Sequence, residues 1–318
     1  MRQKNISICI QSLNEEKNIS LMYHKLKKII DSFKNYDFEI IFADNCSTDN
    51  TREEIIKLAK KDKRAIGIFL SRNFGPEASG HAALYQASGD AIIGFGADMQ
   101  DPPEVITKLI KKWEEGYDIV LGTYERSEKS LFIALMRKLY YRVSRKMTSI
   151  DFPPNTIGFG LFDRKVLNAL ISLPEKNRFG RGLLSWVGFK RAYIPYKRQE
   201  RVNGKSSYTF FDYLKHAERG LFGFSYLPLD LMIYSGFILV ILSFIFIVGY
   251  LYWVIAIGNP IQASIPLMLA IVFFGGITLL AISILGKYIQ VIVEETKRRP
   301  MYIIEDSINI DKSKLHHG

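Results

Sequence analysis

Carboxylate and amide side chains cluster in the segment Gly94–Pro103, which reads GFGADMQDPP. Asp98, Gln100 and Asp101 supply oxygen ligands, which Mg²⁺ and Mn²⁺ take together with phosphate groups. The apolar run Ala91–Ile93 precedes the segment, and its proline pair suits the first turn of a helix. The pattern indicates a metal–diphosphate site from which one carboxylate is missing, and a turn that caps the following helix is the alternative.

The elements around this segment alternate between strands and helices. Short apolar, β-branched runs predict strands at Ile6–Ile10, Phe38–Ala43, Ile66–Leu70, Ala91–Phe95 and Ile119–Leu121. Helical patterns lie between them at Glu15–Phe33, Asn50–Lys60, Pro76–Ala87 and Pro103–Glu115. This order predicts an α/β fold with a doubly wound, mostly parallel sheet. Ligands of such sheets bind at the carboxyl ends of the strands, and polar clusters fall there: Asn14-Glu15, Asp44-Asn45, Ser71-Arg72-Asn73 and Asp98–Asp101.

Other classes of site lack their residues. Gly94 and Gly96 begin a dinucleotide-binding fingerprint, but Met99 occupies the position of its third glycine. The sequence has no Walker-type phosphate loop, and its two cysteines and five scattered histidines form no metal-ligand spacing. The net charge of +11 suits nucleic acid or an anionic membrane. The apolar region described next favours the membrane, so we expect no nucleic-acid partner.

An uninterrupted apolar region lies towards the C-terminus. From Leu231 to Gly286 there is no Asp, Glu, Lys, Arg or His, and about 20 apolar residues suffice for one membrane-spanning helix. We therefore predict a transmembrane hairpin over residues 229–292, with its turn at Gly258–Pro260. Positive residues flank the hairpin and are absent from its turn, which places both flanks in the cytoplasm. They are Lys215 and Arg219 before it, and Lys287, Lys297, Arg298 and Arg299 after it.

This topology divides the chain into a cytosolic domain (1–225), the hairpin (229–292) and a cytosolic tail (293–318), in a multi-pass protein of the inner (plasma) membrane. The first apolar run, Ile6–Ile10, is too short for a signal peptide. Two amphipathic segments, at about 130–147 and 208–225, combine apolar faces with basic or aromatic residues. We expect both to lie in the membrane interface, although an ordinary helix packed on the sheet is the alternative for the first.

Seven motifs occur in a characteristic order: LNEEKNI (13–19), DNCSTDNT (44–51), LSRNFG (70–75), ADMQDPPE (97–104), KWEEGYDIV (112–120), RFGRGLLSWVGF (178–189) and KRRPMYII (297–304). Together they resemble bacterial polyprenyl-phosphate glycosyltransferases of glycosyltransferase family 2, relatives of dolichol-phosphate mannose synthase. The resemblance covers nearly the whole chain. It implies a GT-A fold and an inverting enzyme that moves a sugar from a nucleotide diphosphate sugar to polyprenyl (undecaprenyl) phosphate at the cytosolic face, for cell-envelope glycan modification.

The resemblance also implies roles for individual residues. Asp98, Arg201 and Lys205 would act in catalysis, the last two as a basic pair that closes over the diphosphate. Asp98 and Gln100 would hold Mg²⁺ or Mn²⁺. The residues implied to bind substrates are Asn14 and Glu15 at the base and ribose, Asp44, Asn45 and Arg72 in the nucleotide-sugar pocket, and Arg126, Arg137 and Arg142 at the lipid phosphate.

The sequence departs from the family pattern near the expected site. The departures are Gln11 for a Pro, Asn45 and Cys46 for the second Asp and the Gly of D-D-G-S, Gly96 for the first Asp of D-x-D, and Gly158 and Gly160 for the Asp and Arg of D-F-R-L. A phosphate monoester is mostly a dianion at pH 7 and needs no general base, so Gly158 is compatible with such an acceptor. Asp98 with Gln100 or Asp101 nearby meets the minimum ligand set of Mg²⁺, and we expect weaker metal binding.

Two alternative functions differ in how well the sequence supports them. The lost carboxylates suit a catalytically impaired relative that acts as a scaffold or regulatory membrane partner. A processive polysaccharide synthase is disfavoured, because it needs a larger transmembrane bundle. The resemblance further implies self-association, with a tetramer as the form in relatives, and we prefer a UDP-sugar as the donor.

Overall fold

The computed structural model of the chain describes residues 3–124, 156, 158–175, 178, 180–199, 226–258 and 264–316. Its first part alternates strands with helices, as the sequence predicts. The strands are β1 (Lys4–Ser12), β2 (Tyr36–Asp44), β3 (Ala65–Leu70), β4 (Ala91–Gly96) and β5 (Ile119–Tyr124). The helices are α1 (Glu16–Ile30), α2 (Thr51–Lys61), α3 (Pro76–Gln86) and α4 (Val105–Glu114). The predicted α/β fold class is confirmed.

Later elements were not predicted from the periodicity. They are β6 (Gly160–Asp163), α5 (Arg164–Ser172), α6 (Gly180–Trp186), β7 (Arg191–Tyr196) and β8 (Ile304–Ile308). The strands form one sheet in the order β7-β5-β6-β4-β1-β2-β3-β8. β1 to β4 pair in parallel, as β5 does with β7, whereas β6 and β8 run antiparallel to their neighbours. The sheet is therefore mixed, with a parallel centre.

Helices cover both faces of this sheet. On one face, α1, α2 and α4 bury residues such as Met22, Ile55 and Leu109 against the strands. On the other face, α3 packs closely through Ala82 and Ala83. Because both faces are covered, the parallel strands are apolar almost throughout. The result is a rigid platform whose carboxyl edge presents the loops.

β8 lies in the segment that the sequence analysis treated as a separate tail. It pairs with the edge strand β3, where Gly67 faces Ile308 and Leu70 faces Ile304. Tyr302, just before β8, is fully buried in the cluster between the sheet and α3. A domain boundary at residue 225 therefore omits one strand of the sheet. Local periodicity gave no sign of it, because its pairing partner lies far away along the chain.

Two long apolar helices, α7 (Leu227–Ile257) and α8 (Ser264–Thr296), separate β7 from β8. The spans Leu227–Ala256 and Ala270–Thr296 have mean hydropathies of 2.7 and 2.0. Their large apolar side chains are exposed, with Phe237 at 68%. Helices of this length and exposure are candidate membrane spans.

Candidate active site

The carboxyl ends of β1, β2 and β4 lie side by side. Ser12 of β1 is level with Asp44 of β2, and Gln11 of β1 is level with Gly96 of β4. The loops that follow these strands therefore meet at one edge of the sheet, where ligands of parallel sheets bind. The structure thus brings together the regions of Asn14-Glu15, Asp44-Asn45 and Asp98–Asp101.

The loops after β1 and β2 are hydrogen-bonded to each other. The Asn14 side-chain oxygen accepts from the backbone nitrogen (2.8 Å) and the hydroxyl (3.3 Å) of Thr48, and the Asn14 backbone donates to Ser47 Oγ at 2.9 Å. The Glu15 backbone donates to Thr51 Oγ1 at 2.8 Å. Asn14 is exposed in spite of these bonds and has a left-handed φ of 55°. Asn14 therefore fixes the loop after β1 against the loop after β2, and its contact with base and ribose stays a prediction.

Asp44 is buried in the turn between β2 and α2. Its carboxylate accepts from the backbone nitrogen of Ser47 at 3.2 Å and from the Ser47 hydroxyl. Burial raises the pKa of Asp44, and the Ser47 hydrogen bonds and the charge of Arg52 oppose this rise. The carboxylate stabilises an Asx-type turn. A contact between Asp44 and substrate stays a prediction.

Asn45 is 1% exposed and holds the loop that follows β3. Its amide nitrogen donates to Asn73 Oδ1 at 3.1 Å and to the Gly75 carbonyl at 2.9 Å, and its Oδ1 accepts from the Phe74 backbone at 3.0 Å. The Asn45 side chain therefore positions that loop, and a contact between Asn45 and substrate stays a prediction. Arg72 in the same loop is exposed and lies over the Phe74 ring, 4.1 Å from its centroid.

Asp98 and Gln100 flank Met99, which is buried and has a left-handed φ of 59°. Asp98 is only half-buried, and its Oδ1 accepts from the Gln100 backbone at 3.3 Å. The Gln100 Oε1 accepts from Arg198 Nη2 at 2.8 Å. The turn thus keeps one carboxylate accessible at the end of β4, beside a guanidinium group.

The sequence analysis missed Arg198, which follows β7. Its Nε lies 3.6 Å from Asp101 Oδ1 and is buried, with no hydrogen-bond partner among the described residues. Its guanidinium lies 5.2 Å from the centroid of the Tyr124 ring. Asp101 is 4% exposed and also accepts from the Tyr196 hydroxyl. Burial raises the pKa of Asp101, and the Tyr196 bond and the Arg198 charge oppose this rise. The alternation in RAYIPYKR, a strand that ends in a basic pair, is the signal that could have found Arg198.

The described residues contain no group of three His, Cys, Asp or Glu that could hold a metal ion. Asp98 contributes a half-buried carboxylate, and the neighbouring Gln100 and Asp101 side chains are bonded to Arg198 and Tyr196 respectively. Mg²⁺ usually takes one or two carboxylates together with phosphate oxygens and water. The donor set therefore fits a divalent ion that a bound diphosphate helps to hold, and it does not fit one held by protein groups alone.

The backbone explains the glycines that stand where the resembled family has charged residues. A Cβ on Gly96 would lie 3.3 Å from Asp98 Oδ1, so a second carboxylate there would adjoin the first. Gly158 has a φ of 83°, which L-residues rarely adopt. A Cβ on Gly160 would lie 2.5 Å from the Val120 carbonyl, because β6 pairs closely with β5. Asp and Arg at 158 and 160 would therefore require a different backbone.

Several predicted site residues lie outside the described part of the chain. They are Arg126, Arg137 and Arg142, expected at the lipid phosphate, and Arg201 and Lys205, expected at the diphosphate. The amphipathic segments 130–147 and 208–225 lie there too. Their roles stay predictions.

Known proteins resemble this chain over nearly all of its length. The profile described as Glycosyl transferase family 2 matches residues 7–171. The SfII prophage-derived bactoprenol glucosyl transferase of Shigella flexneri is 36% identical over 305 residues, which cover 95% of this chain and 98% of that protein. The prophage bactoprenol glucosyl transferase homolog of Escherichia coli (strain K12) is 36% identical over 304 residues, with the same coverage. The uncharacterized glycosyltransferase sll0501 of Synechocystis sp. is 36% identical over 302 residues, 95% of each chain.

Proposed function

Because this chain belongs to glycosyltransferase family 2, we propose that it transfers a hexose from a nucleotide diphosphate sugar to polyprenyl phosphate with inversion at the anomeric carbon. The observation that carries the proposal is the half-buried Asp98 at the carboxyl end of β4, at the sheet edge where the loops of β1 and β2 converge. The names of two relatives, bactoprenol glucosyl transferases, make UDP-glucose the first donor to test.

A phosphate acceptor needs no general base at position 158. A phosphate monoester has its second pKa near 6, so at pH 7 its oxygens are already nucleophilic. A sugar hydroxyl would instead need a general base, which typically contributes about 10²–10⁴-fold. Position 158 is a glycine in a left-handed conformation and offers no base. The site is therefore suited to a phosphate acceptor.

The departing nucleoside diphosphate needs positive charge around it. Asp98 would hold a divalent ion, Mg²⁺ or Mn²⁺, jointly with the diphosphate, and the ion would neutralise the charge that accumulates on the leaving oxygens. Arg198 is hydrogen-bonded to Gln100, in the turn that contains Asp98, and adds a guanidinium charge there. Arg201 and Lys205, a few residues further on, would close over the diphosphate.

We also propose a membrane hairpin with the catalytic domain in the cytoplasm of the cell. β7 precedes α7 and β8 follows α8, and both strands belong to one sheet. A chain that leaves and re-enters the same domain crosses a membrane an even number of times, which supports a hairpin. The positive residues on both of its flanks support the cytoplasmic side.

The proposal can be tested by incubating the purified full chain with polyprenyl phosphate, Mg²⁺ and labelled UDP-glucose, and by measuring label in the lipid phase. Other labelled nucleotide sugars should be tested as donors in the same assay. Asp98→Asn should lower transfer by at least about 10²-fold, the size expected when a group that stabilises transition-state charge is lost. The matched control is Asp37→Asn, because Asp37 is exposed at the amino end of β2. Full activity of the Asp98 variant would overturn its role, and nucleotide binding without transfer would favour the scaffold alternative.

A further inference from the structure

The chain that leaves α8 returns to the catalytic domain and reaches the loops of the site. We name residues 302–316 the C-terminal strap and residues 71–75, which follow β3, the donor loop. At its upstream end, the strap buries Tyr302 against α3, and the Tyr302 hydroxyl donates to the His316 carbonyl at 3.1 Å. The Gln86 side chain bonds the His316 backbone in both directions, at 2.8 and 3.1 Å. The strap is therefore closed on itself over the end of α3.

One backbone hydrogen bond connects the strap to the donor loop. The Ser71 backbone nitrogen donates to the Ile303 carbonyl at 3.0 Å, one residue beyond the last paired residue of β3. From Ser71 the donor loop runs to Asn73 and Gly75, both of which Asn45 holds by hydrogen bonds. Asn45 adjoins Asp44 at the end of β2. A continuous set of contacts therefore connects the strap, through the donor loop and Asn45, to the end of β2.

A second contact connects the strap to the first turn of α2, which follows the Asp44 turn. Arg52, on the first turn of α2, pairs with Glu305 at 2.6 Å and lies 3.6 Å from Asp306. Its guanidinium also covers the Phe69 ring at 4.6 Å. The turn that contains Asp44 ends at this helix. The strap carboxylates thus hold the start of α2 against the same edge strand.

We propose that the C-terminal strap is a positioning element of the donor site: Tyr302 and the Ile303 carbonyl set the donor loop, and through it the wall of the nucleotide-sugar pocket. The proposal rests on the proposed function for the identity of the ligand. Only residues 297–301 separate the end of α8 from Tyr302, so the second membrane helix and the donor pocket are connected by a short segment.

The strap also supplies a matched control at its other end. The Asn309 amide donates to the Ala59 carbonyl at 2.6 Å and to the Ala65 carbonyl at 2.8 Å, where β3 begins. Asn309 therefore fastens the strap at the amino end of β3, away from the donor loop. A merely structural strap would make Tyr302 and Asn309 equivalent. A positioning strap makes only Tyr302 affect the donor.

The test uses the full chain in detergent or lipid nanodiscs, with Tyr302→Leu as the main variant and Asn309→Ala as its control. We expect Tyr302→Leu to speed hydrogen exchange of residues 71–75 and to raise the dissociation constant of UDP with Mg²⁺ and the donor KM about fivefold, the equivalent of one hydrogen bond. Its kcat should change less than about twofold, because the reacting groups are intact. Asn309→Ala should speed exchange at 59–67 and leave UDP binding unchanged.

Two results would overturn the proposal. One is unchanged UDP binding in Tyr302→Leu, and the other is an equal loss of binding in Asn309→Ala. If Tyr302→Leu does not fold, Tyr302→Phe removes only the hydroxyl contact and should weaken UDP binding in the same direction, and no change there would equally overturn it. Exchange and UDP binding need no acceptor, so they test the strap even if no polyprenyl-linked sugar forms, an outcome that would count against the proposed function alone.

Discussion

Replacing Asn45 by the Asp of the family pattern should destabilise the folded state of this protein. In Asn45→Asp, the amide nitrogen that donates to Asn73 Oδ1 and to the Gly75 carbonyl becomes a carboxylate oxygen. Two attractive contacts of 3.1 and 2.9 Å then become contacts between acceptors. The new charge would lie at a position that is 1% exposed. Asn45, which departs from the Asp-Asp pattern of the family, thus suits the acceptor groups of the loop that follows β3.

The magnitude follows from those contacts. Each of the two lost hydrogen bonds costs about 1 kcal/mol, and the new carboxylate oxygen, a buried acceptor that faces no donor, adds about 1–3 kcal/mol. We therefore expect Asn45→Asp to be destabilised by about 3–5 kcal/mol at pH 8. Burial beside two acceptors raises the pKa of the new carboxyl above its unfolded value of about 3.9. The loss should therefore be small near pH 4 and grow as the pH rises, since the folded state then holds the proton that the unfolded state has released.

The assay is thermal unfolding of the detergent-solubilised chain between pH 5 and 8, followed by hydrogen exchange at residues 71–75. A loss of this size corresponds to a fall of about 6–20 °C in the unfolding temperature of a domain of this size. Asn45→Ala is the control, because it also loses the contacts but introduces no charge, so its loss should not vary with pH. A variant Asn45→Asp as stable as the parent at pH 8 would refute the positioning role of Asn45.

Two further predictions concern stability. Gly160→Ala should cost about 1–3 kcal/mol by overpacking, because its Cβ would lie 2.5 Å from the Val120 carbonyl. Gly180→Ala, whose Cβ would meet no atom of the described residues within 4 Å, should be nearly neutral in the same thermal unfolding assay. Burial, and then the charge of Arg178, lower the pKa of His81 to about 4. Its unfolded pKa is about 6.5, so the unfolded chain binds the proton first and stability should fall as the pH drops from about 6.5 to 4. His81→Gln should flatten that part of the pH profile, and an unchanged slope would contradict the assignment.

The central strands and the helices between them could be predicted because each carries its own periodicity. Ile6–Ile10 and Phe38–Ala43 read as buried strands from the sequence and lie within β1 and β2 of the structure. The alternation in RAYIPYKR could have indicated β7. The strands β6 and β8 could not be predicted in this way. They are short, and each is defined by a partner that is distant along the chain, as Ile304 is by Leu70.

The candidate site divides along similar lines. Residue type and strand position predicted where Asp44, Asn45, Asp98 and Gln100 would lie, since all follow predicted strands. They did not predict what these side chains contact. Asn45 is bonded within the protein and Gln100 is bonded to Arg198, contacts that depend on loops brought together only by the fold. Sequence spacing identifies the edge of the sheet, and side-chain partners decide the role of each residue there.

The pattern of lost and kept charges favours one class of acceptor. The acidic group lost at position 158 could not be accommodated on this backbone, since Gly158 has a φ of 83° and the neighbouring Gly160 admits no Cβ. Asp98 lies at the end of β4, and Arg198, which follows β7, is bonded to Gln100 in the same turn. We propose that both act on a leaving diphosphate. A hydroxyl acceptor needs the first kind of group, whereas an ionised phosphate needs only the second. The site has thus kept what the leaving group requires and lost what a phosphate nucleophile can do without, and this selection argues for a working transferase over an enzyme that has lost its chemistry.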